Sequence, residues 1–160
     1  MAHAPRSVLF VCLGNICRSP MAEAVFLHAL EASPAAGQVR CDSAGTAGHH
    51  AGETAHRSTL AVLREHGIAT SHRARQVTRD DFHAFDLLLA MDHANLTDLR
   101  TMAPAGCSHK VALFRSFDPS AAAGAEVPDP WGYPMDSFRA VYKLCLAASE
   151  GLLQSVFLAR

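Results

Sequence analysis

The sequence predicts an α/β protein, a three-layer α/β/α arrangement built on a four-stranded parallel sheet. Short apolar segments, such as SVLFV at 7–11, alternate with longer segments of helical spacing. The apolar segments are almost uninterrupted, as expected of strands that helices cover on both faces. Ligands of such folds bind at the carboxyl ends of the strands, so the residues directly after 7–11 are where a site is expected.

Each predicted element has a local signal. The strands are predicted at 7–11, 38–45, 85–92 and 110–114, of which 38–45 ends in a turn. The helices are predicted at 20–31, 56–66, 93–102 and 136–158, with a short one within 77–85. Ser19 and Pro20 suit the N-cap and the first position of the first helix. We find no internal repeat and no long linker, so the 160 residues are predicted to form one domain, 1–160.

Composition and charge exclude several classes of function. A formal net charge of −1 gives no reason to expect nucleic acid or a membrane surface as a partner. The apolar runs are too short for a signal peptide or a membrane span, so we expect a cytoplasmic protein. The five cysteines, an odd number spread through the chain, do not form a disulfide framework.

Two cysteines nevertheless lie close together in VCLGNICRSP, residues 11–20. Such a pair could be a metal site, a disulfide, core packing, or a nucleophile with a redox guard. C-x4-C lacks the second ligand pair that a structural zinc needs, and the stretch is not a Walker loop. Cys12 ends the first predicted strand, and Cys-x5-Arg-Ser places its thiol at the base of a loop that leads into a helix.

This loop has the features of an anion cradle. Its backbone N–H groups can point inward around one anion, and the helix N-terminus adds its positive end. Gly14 permits a close backbone approach, Asn15 tolerates a left-handed conformation, and Arg18 offers a planar fork for two phosphate oxygens. The expected phosphate-binding residues are Leu13, Gly14, Asn15, Ile16, Cys17 and Arg18.

Covalent attack on phosphorus needs an activated thiol and an acid. The positive field of the loop favours the thiolate form of Cys12, and the Ser19 hydroxyl can hydrogen-bond its sulfur. The leaving oxygen must be protonated and a water later activated, and one carboxylic acid can do both. Asp129 in VPDPWGY is the candidate, because it lies in the only long loop, held stiff between Pro128 and Pro130.

These motifs resemble the low-molecular-weight protein tyrosine phosphatases over nearly the whole chain. The segment 11–26 is similar to the family's nucleophile loop and first helix, DSAGTAGHHAGE to its second-strand turn, 66–92 to its middle section, and PDPWGYPMDSF to its acid loop. Cys-x5-Arg alone occurs in several phosphatase folds, whereas its combination with a distal Asp-Pro-aromatic is highly specific. The resemblance implies a single phosphatase domain that hydrolyses phosphotyrosine in proteins and small aryl phosphates through a phosphocysteine.

The resemblance also implies a role for each catalytic residue. Cys12 is similar to the nucleophile, Arg18 to the residue that binds phosphate and stabilises the transition state, and Asp129 to the general acid and later base. Neither a metal nor an external cofactor is required by this chemistry. The expected partners are a tyrosine-phosphorylated protein and, as product or inhibitor, inorganic phosphate or vanadate. A monomer or weak dimer is expected.

Supporting residues follow from the same resemblance. Asn15, Ser43 and His72 match a network that holds the loop asparagine in its strained conformation, with Ser19 supporting the sulfur. Cys17 matches the second loop cysteine, which in the family can form a reversible disulfide with the nucleophile. A close resolving thiol protects a reactive thiolate from over-oxidation.

The predicted pocket rim departs from the family pattern. His49 stands where many relatives carry an aromatic residue, and Trp131 is followed by Gly132 where two consecutive aromatics are common. Trp131 can still stack on a phenyl ring. These changes leave the chemistry intact and leave the choice of protein substrate open.

Three other functions stay open from the sequence. Arsenate reduction on the same fold needs two further redox cysteines, and Cys107 stands alone. Protein arginine phosphatases resemble this chain but carry a threonine at the position of Ile16. The third is a phosphate-binding or redox-sensing module without turnover, which the intact set of Cys12, Arg18 and Asp129 disfavours.

Overall fold

Four parallel strands form one sheet in the computed structural model, which describes residues 3–159. The strands are β1 (Ser7–Cys12), β2 (Arg40–Gly45), β3 (Leu87–Ala90) and β4 (Val111–Leu113), hydrogen-bonded in the order β2-β1-β3-β4. The last residue of β1, Cys12, pairs with Gly45 at the end of β2, and Val11 pairs with Ala90 at the end of β3. Three strand ends therefore meet beside Cys12.

Within residues 3–159, five α-helices cover the sheet. They are α1 (Arg18–Glu31), α2 (Arg57–Glu65), α3 (Asp81–Ala84), α4 (His93–Met102) and α5 (Met135–Leu152). A π-helical turn, Leu153–Phe157, continues α5, and short 3₁₀ turns at Ser108–Lys110 and Phe114–Phe117 flank β4. Among the described residues, no helix is both long and apolar enough to cross a membrane.

The core lies on both faces of the sheet because successive side chains of β1 point in opposite directions. Val8 and Phe10 pack on the side of α1, α2 and α5, where the Phe10 ring meets the ring of Phe26 at 5.6 Å between centroids. Leu9 and Val11 pack on the side of α3 and α4. This arrangement confirms the predicted three-layer α/β fold and its four-stranded parallel sheet.

The predicted start of the first helix is wrong. Helix α1 begins at Arg18, with Cys17 as N-cap, two residues before the predicted start at Pro20. Ser19 therefore lies inside the first turn and is not the N-cap. Its hydroxyl is free to turn away from the helix, and its Oγ lies 3.0 Å from the Sγ of Cys12.

Candidate active site

The thiol of Cys12 lies at the carboxyl end of the central strand, only 2 % exposed. The backbone N–H of Asn15 donates to its sulfur at 3.3 Å, and the Ser19 hydroxyl lies 3.0 Å away. Ser19 Oγ already accepts a hydrogen bond from the Asn15 side chain at 2.8 Å, so its own hydrogen is available to the sulfur. Two hydrogen-bond donors are therefore directed at the sulfur.

The loop between β1 and α1, residues 13–17, is curled around this thiol. Asn15 is the one non-glycine residue in the described chain with a positive φ, 58°, and it is fully buried. Within residues 3–159, the backbone N–H groups of Leu13, Gly14, Ile16 and Cys17 have no protein acceptor. Unpaired donors gathered around a buried thiol favour an anion at that point.

The left-handed conformation of Asn15 is held by its own side chain. The amide nitrogen donates to Ser43 Oγ at 3.0 Å, and the amide oxygen accepts from the backbone N–H of Arg75 at 3.0 Å. His72 Nε2 lies 2.8 Å from the same oxygen and donates to it. The predicted supporting residues Asn15, Ser43 and His72 thus lie in one buried cluster, together with Ser19.

Glu23 belongs to this cluster and was missed in the sequence. Ser43 donates its hydroxyl to the Glu23 carboxyl at 2.7 Å, and His72 Nδ1 lies 3.4 Å from that carboxyl. Burial raises the pKa of Glu23 to about 7 and lowers the pKa of His72. Since burial penalises both charged forms, the imidazole is held mainly neutral near pH 7, and the carboxyl is protonated well above its ordinary range.

The turn after β2 is docked directly on the loop. Thr46 and Ala47 donate backbone hydrogen bonds, each of 2.9 Å, to the carbonyls of Cys12 and Leu13. A Cβ on Gly45 would lie 2.6 Å from the Leu13 carbonyl oxygen, so a glycine is required for this close approach. The backbone of the second strand therefore helps to fix the shape of the loop.

Arg18 is 3 % exposed and forms one wall of the site. Its Nη1 donates to the Asp92 carboxylate at 2.7 Å and to the carbonyl of Val127 at 3.1 Å. Asp92 is itself fixed as the N-cap of α4, where it accepts from the backbone N–H of Asn95. Asp92 is the last residue of the predicted third strand and lies two residues beyond β3, so the rule that sites form at strand ends could have identified it in the sequence.

Asp129 faces Arg18 across the mouth of the site. Its Oδ2 lies 3.8 Å from Arg18 Nη2, and its Oδ1 accepts from the backbone N–H of Trp131 at 3.1 Å. The side chain is 48 % exposed, in contrast to the buried thiol. The loop that carries it is tied to β3 by a 2.7 Å hydrogen bond from the Val127 N–H to the Met91 carbonyl.

These groups enclose a pocket of about 160 Å³ with Cys12 among its lining residues. The residues that line it are Cys12, Leu13, Gly14, Ile16, Cys17, Arg18, His50, Asp129 and Trp131. His50 occupies the rim where we predicted His49, which is exposed and does not line the pocket. The reason is local: Nδ1 of His50 lies 2.5 Å from the Glu53 carboxylate, which holds the ring over Gly14.

The site defines a class of protein, one in which a buried thiol lies within an anion-binding loop at the end of a central parallel strand. The model of the family described as "Low molecular weight phosphotyrosine protein phosphatase" matches residues 7–158. A Streptomyces coelicolor protein named low molecular weight protein-tyrosine-phosphatase is 47 % identical over 151 residues, covering 93 % of this chain and 92 % of the relative. The chain belongs to the low-molecular-weight phosphotyrosine protein phosphatase family, as the sequence resemblance predicted.

Solved structures agree with the family assignment. A protein tyrosine phosphatase from Entamoeba histolytica superposes with a TM-score of 0.91 at 33 % identity, covering 96 % of this chain and 97 % of that structure. A structure described as a Drosophila arginine phosphatase superposes with a TM-score of 0.83 at 34 % identity, covering 92 % of this chain and 95 % of that structure. The same fold thus carries a second substrate chemistry in a relative.

Proposed function

We propose that this protein hydrolyses phosphotyrosine in proteins, and small aryl phosphates, through a phosphocysteine at Cys12. The observation that carries this proposal is the geometry of one pocket. A buried thiol with two hydrogen-bond donors lies among its lining residues, Arg18 forms a wall, and the Asp129 carboxyl faces that arginine across the mouth. These are the nucleophile, the phosphate binder and the acid that the family chemistry needs.

In the first step, the Cys12 thiolate attacks phosphorus in line with the bond to the phenolic oxygen. A sulfur–phosphorus bond forms, the phosphorus–oxygen bond breaks, and protonated Asp129 gives its proton to the leaving oxygen. The equatorial oxygens are held by Arg18 and by the backbone N–H groups of residues 13–17. Asp92 fixes the direction of the guanidinium, so Arg18 needs no rearrangement at the transition state.

In the second step, water hydrolyses the phosphocysteine. Asp129, now a carboxylate, accepts a proton from the water as its oxygen attacks phosphorus. The sulfur–phosphorus bond breaks, inorganic phosphate leaves, and the thiolate of Cys12 returns to the hydrogen bonds of Ser19 and Asn15. The exposure of Asp129 suits both roles, because it can meet a leaving group and then a water.

The pocket walls favour an aromatic substrate. Ile16 lines the pocket and Trp131, 60 % exposed, stands at its mouth. An apolar side chain and an indole ring in the same pocket lining provide surface for a phenyl ring. Tyrosine is therefore the proposed substrate residue, and arginine is the second candidate because a relative of the same fold carries that name.

Cys17 is proposed as the resolving thiol for Cys12. Both cysteines are free and buried, and Cys17 lies in the pocket lining beside the nucleophile. Burial and the neighbouring Cys12 raise the pKa of Cys17 to about 12, so the reduced enzyme holds it as an unreactive thiol. Hydrogen peroxide would oxidise the Cys12 thiolate to a sulfenic acid, with release of hydroxide, and so remove the adjacent negative charge. Condensation of the two groups would then form a disulfide and release water.

We also propose that the partners of the protein are phosphoproteins and not nucleic acid or a membrane surface. The proposed location is the cytoplasm, and the proposed oligomeric state is a monomer or weak dimer.

The first test is hydrolysis of p-nitrophenyl phosphate under reducing conditions by the wild type and by Cys12→Ser. We expect vanadate-sensitive activity that falls by about 10⁴-fold or more in the variant. A phosphotyrosine peptide and a phosphoarginine peptide, compared by kcat/KM, decide between the two substrate residues. No activity in the wild type would overturn the phosphatase mechanism.

A further inference from the structure

A second groove, of about 620 Å³, adjoins the active-site pocket. It shares Ile16 and His50 with the pocket, so the two are continuous at the rim. The residues that line the groove are Ile16, His50, Gly52, Glu53, Thr54, Ala55, His56, Arg57 and Arg73. A substrate that inserts its phosphotyrosine into the pocket must lay its neighbouring residues along this rim.

The groove carries positive charge that the protein does not neutralise. Arg57 and Arg73 are exposed, and neither forms an ion pair with any acidic side chain in residues 3–159. Arg73 donates only to the carbonyl of Gly52, at 3.3 Å. Glu53 is the one carboxylate of the lining, and His50 contacts it at 2.5 Å. In a chain of formal net charge −1, this is a local excess of cations.

The backbone beneath the two arginines is fixed relative to the nucleophile loop. The N–H of His56, next to Arg57, donates to the carbonyl of Ile16 at 2.8 Å. Arg73 pairs with Thr54 in an antiparallel bridge, and Ala74 and Glu53 join the same ladder through a 2.8 Å hydrogen bond. Because the backbone that carries Arg57 and Arg73 is held in place beside the pocket, these charges favour one position of a bound acidic group.

The opposite side of the pocket has a different character. A groove of about 370 Å³ between the acid loop and α5 is lined by Pro128, Asp129, Pro130, Tyr133, Ser137, Ala140, Val141 and Leu144. Its one ionisable acid is Asp129, the proposed general acid, and it holds no cation. Acidic residues of a substrate are therefore attracted to one side of the pocket and not to the other.

We propose that Arg57 and Arg73 bind acidic side chains that flank the phosphotyrosine of the substrate. The inference rests on the proposed function and adds to it the kind of sequence, rich in Asp and Glu, that surrounds the phosphotyrosine of a substrate. The groove shares two lining residues with the pocket, so the acidic residues lie close to the phosphotyrosine in the substrate sequence. Asp and Glu carboxylates match the planar guanidinium of arginine in geometry. The resulting ion pairs are expected to act mainly on the rate at which the enzyme captures its substrate.

The test uses matched phosphotyrosine peptides in which the flanking Asp and Glu residues on one side are replaced by Asn and Gln. We expect a higher kcat/KM for the acidic peptide with the wild type, at low salt. Each of Arg57→Gln and Arg73→Gln should reduce this preference about two- to fivefold, and the double variant should remove most of it. Salt at about 0.5 M should also reduce it in the wild type.

The matched control is Arg100→Gln on α4, which removes the same charge from an exposed arginine that lines neither groove. All four variants should hydrolyse p-nitrophenyl phosphate like the wild type, since that substrate does not reach the groove. Equal kcat/KM of the wild-type enzyme for the two peptides, a preference for the Asn/Gln peptide, or an equal loss of preference in Arg100→Gln would overturn the proposal. Failure of p-nitrophenyl phosphate hydrolysis by the wild type would instead overturn the proposed function, and this proposal with it.

Discussion

The nucleophile loop and the acid loop meet at one pocket but are built in opposite ways. Cys12, Asn15 and Arg18 are at most 3 % exposed, and their side chains make hydrogen bonds to buried partners. In the acid loop, Asp129 is 48 % exposed and Trp131 60 %. One region is fixed from within the core, whereas the other is held mainly through its backbone.

The difference follows from what each loop must bind. A phosphoryl group has one shape, so a preorganised cradle stabilises its transition state without rearrangement. The leaving group and the protein around it vary, and a water must enter after the first step. An exposed acid with a stacking ring accommodates that variation. Substitutions in the nucleophile loop should therefore disturb the positions of the reacting groups. Substitutions in the acid loop should change which leaving groups and substrates the enzyme accepts.

The largest effect expected in this comparison is that of Asp129→Ala. Loss of the proton donor should slow expulsion of the leaving group by about 10²–10⁴-fold while phosphate binding stays largely intact. We would measure kcat for phenyl phosphate and p-nitrophenyl phosphate, and the inhibition constant of inorganic phosphate. The defect should be greater with phenol, the more basic leaving group. Asp98→Ala on α4 is the control, and an unchanged turnover number would remove Asp129 from the mechanism.

Two variants of Asn15 test the buried nucleophile loop. Asn15→Ala loses the side-chain hydrogen bonds and places a Cβ at a φ of 58°, so kcat should fall by about 10–100-fold. Asn15→Gly loses the same hydrogen bonds but adopts this φ without strain. If both variants are equally impaired, the hydrogen-bond network is what shapes the loop. Near wild-type activity in Asn15→Gly would contradict that role and leave only the backbone requirement.

Glu23 should make the buried cluster sensitive to pH. Its pKa in the folded protein is about 7, above its ordinary 4.5, so its stabilising contribution is full below pH 4.5 and is lost as the pH rises through 7. Relative to Glu23→Gln, the free energy of unfolding of the wild type should fall by about 2 kcal/mol between pH 4.5 and 7.5. Urea unfolding at several pH values measures this, with Glu31→Gln on the same helix as control. Parallel pH profiles would show that Glu23 is not a buried acid.

The smallest effect is expected at the exposed rim. Trp131→Ala should raise KM for aryl phosphates about two- to tenfold, because it removes a stacking surface and no reacting group. The inhibition constant of inorganic phosphate should stay unchanged, since phosphate lacks a ring. Tyr133→Ala, equally exposed but outside the pocket lining, is the matched control. A weaker inhibition by inorganic phosphate in Trp131→Ala would place the indole in the phosphate site instead of the rim.

Much of the site could be predicted because its signals are local. Cys12, Gly14, Asn15 and Arg18 lie within seven consecutive residues, and their order specifies strand, loop and helix together. Asp129 was identifiable because it stands between two prolines in a long predicted loop. The strands β1, β3 and β4 were recognisable because each is a short apolar run, which indicates burial on both faces whatever lies next to it.

The sequence by itself determined the fold class, the family and the order of the nucleophile loop. Only the tertiary structure decided which distant side chains complete the site. Glu23 reaches the cluster from α1, Asp92 reaches Arg18 from the end of β3, and His50 replaces His49 at the rim because Glu53 holds its ring. Periodicity reports which residues are buried. Hydrogen-bond partners across the sheet depend on strand order and register, and these form only when the chain has folded.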